Sequence, residues 1–278
     1  MVANNPGPFT FTGTGTYIVG GHAPGDGVAV IDPGPDDADH LQALLDAVRG
    51  QTVSHVLITH AHLDHAGLAH GFADAVGAPV LAARPPVAVI HASAPDEEDA
   101  PGFSPDIILS PGDRVAGPGW TLETLATPGH TSSHLAFALI EENALFTGDH
   151  VMGWSTTVVA PPDGDMTDYM ASLDAVIARD FAVLWPTHGP PVTEPGPFLQ
   201  AYRAHRLARD AQILEWLGRT PAGRIVDMVP DLYATVDRRL WPAAGLSVWA
   251  HLIALARRGR VASDGGLTLD AAWRLTGT

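Results

Sequence analysis

Thr59-His60-Ala61-His62-Leu63-Asp64-His65 stands at the end of an apolar, β-branched run over residues 53–58. The run reads as a buried strand, and the chain turns where it ends. Side chains two apart at a strand end project to the same side, so His60 and His62 can chelate one cation. Asp64 and His65 then open the following helix, facing a second ion nearby. Three more histidine and aspartate residues stand at other predicted strand ends: His130 in Thr127-Pro128-Gly129-His130-Thr131, Asp149 in Thr147-Gly148-Asp149-His150, and His188 in Pro186-Thr187-His188-Gly189-Pro190. Glycine or proline beside each lets the backbone turn sharply and hold the side chain at a fixed angle. A carboxylate such as Asp149 can bridge two cations with its two oxygens, which an imidazole cannot. The 278 residues include no Cys, so a metal here must be held by nitrogen and oxygen.

Outward from this segment, β-branched runs alternate with helical ones. Strands are predicted over residues 14–19 and 28–31, a pair closed by the turn Asp32-Pro33-Gly34-Pro35. Further strands are expected over residues 53–59, 80–82, 121–126, 135–140, 144–146, 156–159 and 183–185, with helices over 37–48, 65–76 and 167–178. Hairpins mixed with crossovers indicate a layered α/β domain. Residues 93–106, with Asp96-Glu97-Glu98-Asp99 and three prolines, read as an exposed loop. After residue 200 the pattern is helical over 198–217, 221–229 and 244–258. It closes with a hairpin, 260–263 and 267–269, about Asp264-Gly265-Gly266.

Charge divides the chain at the same place. Residues 1–199 carry 4 Arg and 24 acids, a formal −20, while residues 200–278 carry 11 Arg and 7 acids, a formal +4. Two domains follow, 1–199 and 200–278. A polyanion is attracted by the second and repelled by the first. Leu207, Ile213, Leu214, Leu217, Leu252 and Leu255 recur at helical spacings and form the expected core of the tail. Arg203, Arg206 and Arg209 are expected to lie towards solvent. The first eight residues show neither a basic nor an apolar leader segment, and no apolar run approaches the eighteen or so residues of a membrane helix. The expectation is a cytoplasmic protein without a membrane partner.

The five segments around the histidines resemble the metallo-β-lactamase superfamily. That resemblance implies an αββα sandwich with a two-metal site at one edge. The first ion takes His60, His62 and His130; the second takes Asp64, His65 and His188; Asp149 bridges them. Residues 127–134, the segment Glu142-Asn143-Ala144-Leu145-Phe146-Thr147-Gly148-Asp149 and Asp168-Tyr169-Met170-Ala171-Ser172-Leu173 look like its lactamase-beta-like branch. There the sandwich is followed by a C-terminal winged-helix domain, and some members are endoribonucleases acting on single-stranded RNA. The implied cofactors are two Zn²⁺, with Fe or Mn allowed by the same donors. The implied chemistry is hydrolysis by a metal-bridging hydroxide, with Asp64 orienting the nucleophile and receiving its proton.

The ligands give the reaction type and leave the substrate open. A single-stranded RNA endonuclease is the first reading. A hydrolase of a small thioester, ester or lactone, similar to hydroxyacylglutathione hydrolases, is the alternative and is favoured by the acidic first domain. Asp149 and the absent leader argue against a true β-lactamase. The complete ligand set argues against a metal-dependent regulator binding duplex DNA. The winged helix could serve homodimerisation or wall the pocket. Asp32 is a candidate support behind the ligands, His134 a residue that reaches substrate or holds a ligand, and Trp154, Ser155 and Thr156 candidate pocket residues. His150 is expected to point away from the metals. Arg257, Arg258 and Arg260 are candidate phosphate contacts or complements to the end of their helix. His22, His40, His55, His70, His91, His205 and His251 read as scattered or core histidines.

Overall fold

The computed structural model describes residues 1–21, 23, 25–86 and 98–277. In the first half, β1 (Tyr17–Gly20), β2 (Gly27–Ile31), helix α1 (Ala38–Ala47), β3 (Thr52–Leu57), helices α2 (Leu63–Ala66) and α3 (Ala69–Val76), β4 (Val80–Ala82) and β5 (Ile107–Ile108) follow one another. The five strands make one sheet in chain order, with β1 antiparallel to β2 and the rest parallel. Next come β6 (Arg114–Gly117), β7 (Trp120–Ala126), β8 (Leu135–Leu139), β9 (Ala144–Gly148), helix α4 (Met166–Arg179) and β10 (Val183–Pro186). These strands make a second sheet, antiparallel except where β10 runs parallel to β9.

Alternation along the strands decides the layers. In β2, Val28 and Val30 face the side covered by α1 and α3, packing near Leu44, Ala69 and Phe72. Ala29 and Ile31 face the other way, into a core shared with Phe137, Leu122 and Phe146 of the second sheet. β8 repeats the pattern: Leu135, Phe137 and Leu139 point between the sheets, while Ala136 and Ala138 pack under Tyr169 and Leu173 of α4. Removing each large side chain from water contributes roughly 2 kcal/mol, so both faces of each sheet must be covered. The result is the αββα sandwich.

The tail begins on helix α5 (Pro195–Gly218) and continues through β11 (Gly223–Arg224), α6 (Ile225–Leu232), a 3₁₀ turn at Arg238–Leu240, α7 (Trp241–Arg257), β12 (Val261–Asp264) and β13 (Ala272–Leu275). A three-stranded sheet in the order β11-β13-β12 packs with α5, α6 and α7 around Trp273, Leu252, Ile213 and Met228. The division between residues 199 and 200 lies inside α5. Leu199 and Tyr202 of that helix pack with the sandwich, and Ile213 and Leu217 pack with the tail. No helix among the described residues is long and apolar enough to cross a membrane.

Several local expectations are corrected. Residues 156–159 form no strand, because side chains take their carbonyls: Arg206 donates to the Thr157 oxygen and His130 Nδ1 lies 2.7 Å from that of Val158. The helix over 65–76 is two helices, broken where the Leu68 amide turns to the Gly34 carbonyl at 3.0 Å. The closing hairpin uses residues 272–275 instead of 267–269, which seats Trp273 in the core and leaves Leu267 exposed. The sequence pattern does not show strands β5 and β6, and the helix expected over 221–229 gives its first residues to β11 and runs over Ile225–Leu232. Leu207 is 42% exposed, whereas Arg206 and Arg209 are 4% and 8% exposed. Arg206 and Arg209 are buried because α5 turns that face towards the sandwich and α6. The acidic loop over 93–106 lies partly outside the described residues, as do His22 and His91. Its last part is held down: Leu63 N–H donates to Glu98 O at 2.8 Å and Ala100 N–H to Ala61 O at 2.7 Å.

Candidate metal centre

Parallel strands bring their carboxyl ends to one edge of the sandwich. Asp32 follows β2, His60 follows β3, Asp149 follows β9 and His188 follows β10, while His130 sits in the β7–β8 loop. Two glycines are required for this. A Cβ on Gly129 would lie 2.3 Å from the Tyr169 Cα, and one on Gly148 would lie 2.7 Å from His134 Nε2; both residues have positive φ. Glycine therefore lets His130 and Asp149 approach.

The histidines close on two points. His60 Nε2 lies 3.0 Å from His62 Nδ1, which lies 3.2 Å from His130 Nε2. Beside them, Asp64 Oδ2 lies 3.5 Å from His65 Nε2 and 3.2 Å from His188 Nε2. Asp149 stands between the two groups. Its Oδ1 is 3.4 Å from both His65 Nε2 and His188 Nε2, and its Oδ2 is 3.8 Å from His130 Nε2. All seven expected ligands are thus brought together. Among them, His65 Nε2 and Asp149 Oδ1 are buried and lack any hydrogen-bond partner. Buried polar atoms are costly when unsatisfied, and these two aim into a space ringed by nitrogen and oxygen donors. The arrangement fits a divalent cation.

Electrostatics divide the set. Burial, then the neighbouring imidazoles, holds His60 well below the ordinary histidine range; burial and His130 do the same to His62. Their lone pairs are free for a cation. Burial also opposes charge on His65, but Asp64, Asp149 and Asp32 outweigh it and hold the imidazole well above its usual range. His188 is likewise pushed up to about 10 against burial, by Asp149 and Asp64. Asp64 is carried down to about 2, since His65 and His188 overcome the effect of burial. A pocket that draws protons so strongly onto two imidazoles has the charge to take a cation in their place.

Behind the donors lies a second ring of contacts. Asp32, fully buried at φ 49°, accepts from the Thr59 amide and hydroxyl at 2.8 Å each, and its Oδ2 lies 2.9 Å from His65 Nδ1. Thr59 Oγ1 also lies 3.0 Å from His60 Nδ1. His134 is buried; its Nε2 accepts from the Asp149 amide at 3.1 Å, and its Nδ1 is 2.7 Å from Thr127 Oγ1. His150 points away, its ring 5.0 Å from that of Tyr169. Trp154 stacks on Phe11 at 5.1 Å, and with Ser155 and Thr156 it lines a cavity against the tail. Sequence reasoning missed Thr14, whose hydroxyl donates to Asp64 Oδ2 at 2.9 Å, and Thr187, whose hydroxyl donates to Asp32 Oδ2 at 3.3 Å. For Thr187 the available signal was its place directly before His188, as Thr59 stands before His60.

Residues 10–188 match the metallo-β-lactamase superfamily. The chain belongs to that superfamily. Residues 225–273 match the β-lactamase-associated winged-helix domain, so this metallo-β-lactamase-fold hydrolase carries the tail that its sequence resembled. It is 31% identical over 266 residues to a Drosophila melanogaster protein named Beta-lactamase-like protein 2 homolog, covering 92% of this chain and 87% of that one. A Caenorhabditis elegans protein of the same name is 31% identical over 237 residues, 84% of this chain and 75% of its own. The Atrochrysone carboxyl ACP thioesterase of Aspergillus chevalieri is 32% identical over 246 residues, covering 85% of this chain and 73% of that protein. Among solved structures, a β-lactamase domain protein from Burkholderia ambifaria superposes with a TM-score of 0.80 over 98% of this chain and 89% of that one, at 20% identity. TTHA1623, in a di-iron-bound form, superposes with a TM-score of 0.53 at 26% identity over 69% of this metallo-β-lactamase chain and 94% of its own.

Proposed function

We propose that this protein hydrolyses a thioester or ester of a small acid at a pair of divalent ions. Zinc is the first candidate; iron or manganese suits the same nitrogen and oxygen donors. The observation that carries this reading is Asp149, whose two oxygens face different donor groups. His60, His62 and His130 would hold one ion, and Asp64, His65 and His188 the other. When bound, such a pair supplies hydroxide at neutral pH and withdraws electrons from a carbonyl oxygen.

The chain's own residues do the rest. Asp64, fixed by the Thr14 hydroxyl, borders a groove of about 360 Å³ walled by Pro8, Pro35 and Leu63. There its carboxylate orients the attacking water. The proline and leucine walls suit an acyl chain. The relative from Aspergillus chevalieri bears a thioesterase name, which favours thioester over phosphodiester.

Single-stranded RNA has less behind it. Of the three arginines expected as phosphate contacts, two are engaged within the chain: Arg257 with Asp165 and Arg258 with Asp210. A panel of acyl thioesters, lactones and single-stranded RNA, run on zinc-loaded protein at low salt, tests the assignment. Thioester or ester turnover, lost in Asp149→Ala, is expected. RNA cleavage without any turnover of esters or thioesters would reverse it.

A further inference from the structure

Between the sandwich and the tail lies a second cavity, of about 270 Å³, lined by Phe9, the segment from Trp154 to Val158, Arg206, Arg209, Tyr233 and Ala243, with further residues of α7. Arg206 and Arg209 are 4% and 8% exposed. Each guanidinium has five N–H donors. Arg206 donates from Nη2 to the Thr157 carbonyl at 2.6 Å, and Arg209 from Nη1 to the Leu232 carbonyl at 2.8 Å. The Nε of each is buried without a hydrogen-bond partner, as is the Thr157 hydroxyl. The planes lie over aromatic rings, Arg206 4.8 Å from the Tyr169 centroid and Arg209 4.0 Å from that of Tyr233.

Neither arginine forms an ion pair among the described residues. The nearest carboxylate along the helix, Asp210, is taken by His251 and Arg258 at 2.8 Å each. Two like charges one turn apart on α5 are therefore buried with donors unspent. Such an arrangement is costly unless an anion completes it. Stability alone would be served better by apolar side chains of the same volume.

The cavity's place in the fold ties it to the metal centre. Its wall from Trp154 to Val158 starts five residues after Asp149 and ends on the carbonyl that holds the His130 ring, 2.7 Å from Nδ1. Pro8 lines both this cavity and the groove beside Asp64. We infer that the interdomain cavity is the subsite for an anionic end of the substrate, with Arg206 and Arg209 binding its carboxylate or phosphate. This deepens the thioester or ester reading, on which it rests: the reacting carbonyl lies at the histidines and the anion lies against α5. Bidentate N–H donors and flanking aromatic rings suit a planar carboxylate on an aromatic or acyl body.

Binding is read apart from turnover, by calorimetric titration of the metal-loaded protein with benzoate, its neutral isostere benzamide, and inorganic phosphate. Benzoate or phosphate is expected to bind at least tenfold more tightly than benzamide. Which of the two binds tells a carboxylate end from a phosphate end, and binding of neither overturns the proposal. Arg209→Gln should weaken binding at least tenfold. Ala243→Leu, which fills the cavity with both arginines intact, should do the same and decides the matter should Arg209→Gln not fold. Asp149→Asn should leave the affinity within twofold. Equal affinity for benzoate and benzamide with no binding of phosphate would refute the subsite, and anion binding lost in Asp149→Asn but kept in Arg209→Gln would refute it by placing the anion at the metals. Failure of thioester and ester turnover with this binding intact would instead remove the proposed reaction alone.

Discussion

Asp32 Oδ2 lies 2.9 Å from His65 Nδ1, and both side chains are fully out of water. The carboxylate therefore fixes which ring nitrogen carries the proton and turns Nε2 towards the cluster. Partners of this kind raise the basicity of a ligating imidazole and fix its orientation.

Asp32→Asn removes that charge without disturbing the backbone, because asparagine also tolerates the positive φ of 49° found here. Metal affinity is expected to fall about 10- to 100-fold, with the fold retained. Chelator competition measures it. Unchanged affinity would show that the contact does not act on the metals.

Purified protein should carry close to two metal ions per chain, and Asp149→Ala should carry fewer and hydrolyse nothing. Elemental analysis and an activity assay check this together. Exhaustive chelation should also lower the melting temperature, since His65 Nε2 and Asp149 Oδ1 are buried without another partner. Full activity in metal-free wild type would sink the assignment.

Asp165 joins the two halves of the molecule. It caps α4 by accepting from the Thr167 and Asp168 amides, and it pairs with Arg257 of α7. Burial raises its pKa, but the bond from Arg257 and those from the two amides outweigh it, so the folded pKa lies below the ordinary value. The stabilisation is therefore present above about pH 4 and lost as pH falls through the lower folded pKa. Asp165→Ala is expected to cost about 1 kcal/mol at pH 7. The difference from wild type should shrink below pH 4 in denaturant titrations. A deficit constant down to pH 2 would contradict the linkage.

Trp273 is fully buried in the tail and Leu207 is largely exposed. Trp273→Ala should cost about 3–5 kcal/mol. Leu207→Ala should stay within about 0.5 kcal/mol. Urea midpoints of the two variants distinguish this packing from the one suggested by helical spacing alone.

Sequence by itself determined the strand ends that gather the candidate metal ligands. His60, His62, Asp64 and His65 fall within six residues, and a strand end followed by a turn sets their relative directions locally. His130, Asp149 and His188 were legible because each sits beside glycine or proline at the end of an apolar run, where only a sharp turn fits.

Tertiary structure decided what depends on an unseen neighbour. Arg206 and Arg209 read as a solvent stripe because charge is costly to bury; only the docking of α5 between the two domains puts them inside, beside Tyr169 and Tyr233. Residues 156–159 have strand-forming side chains, yet Arg206 and His130 take the carbonyls a sheet would need. Asp32, by sequence both a turn residue and a candidate support behind the ligands, finds the ligand it supports, His65, only across 33 residues of chain. Likewise, β13 is set by the core's demand for Trp273 and not by the nearest apolar run. Local patterns carry the directions of side chains, but partners distant in sequence exist only once the chain has closed around them.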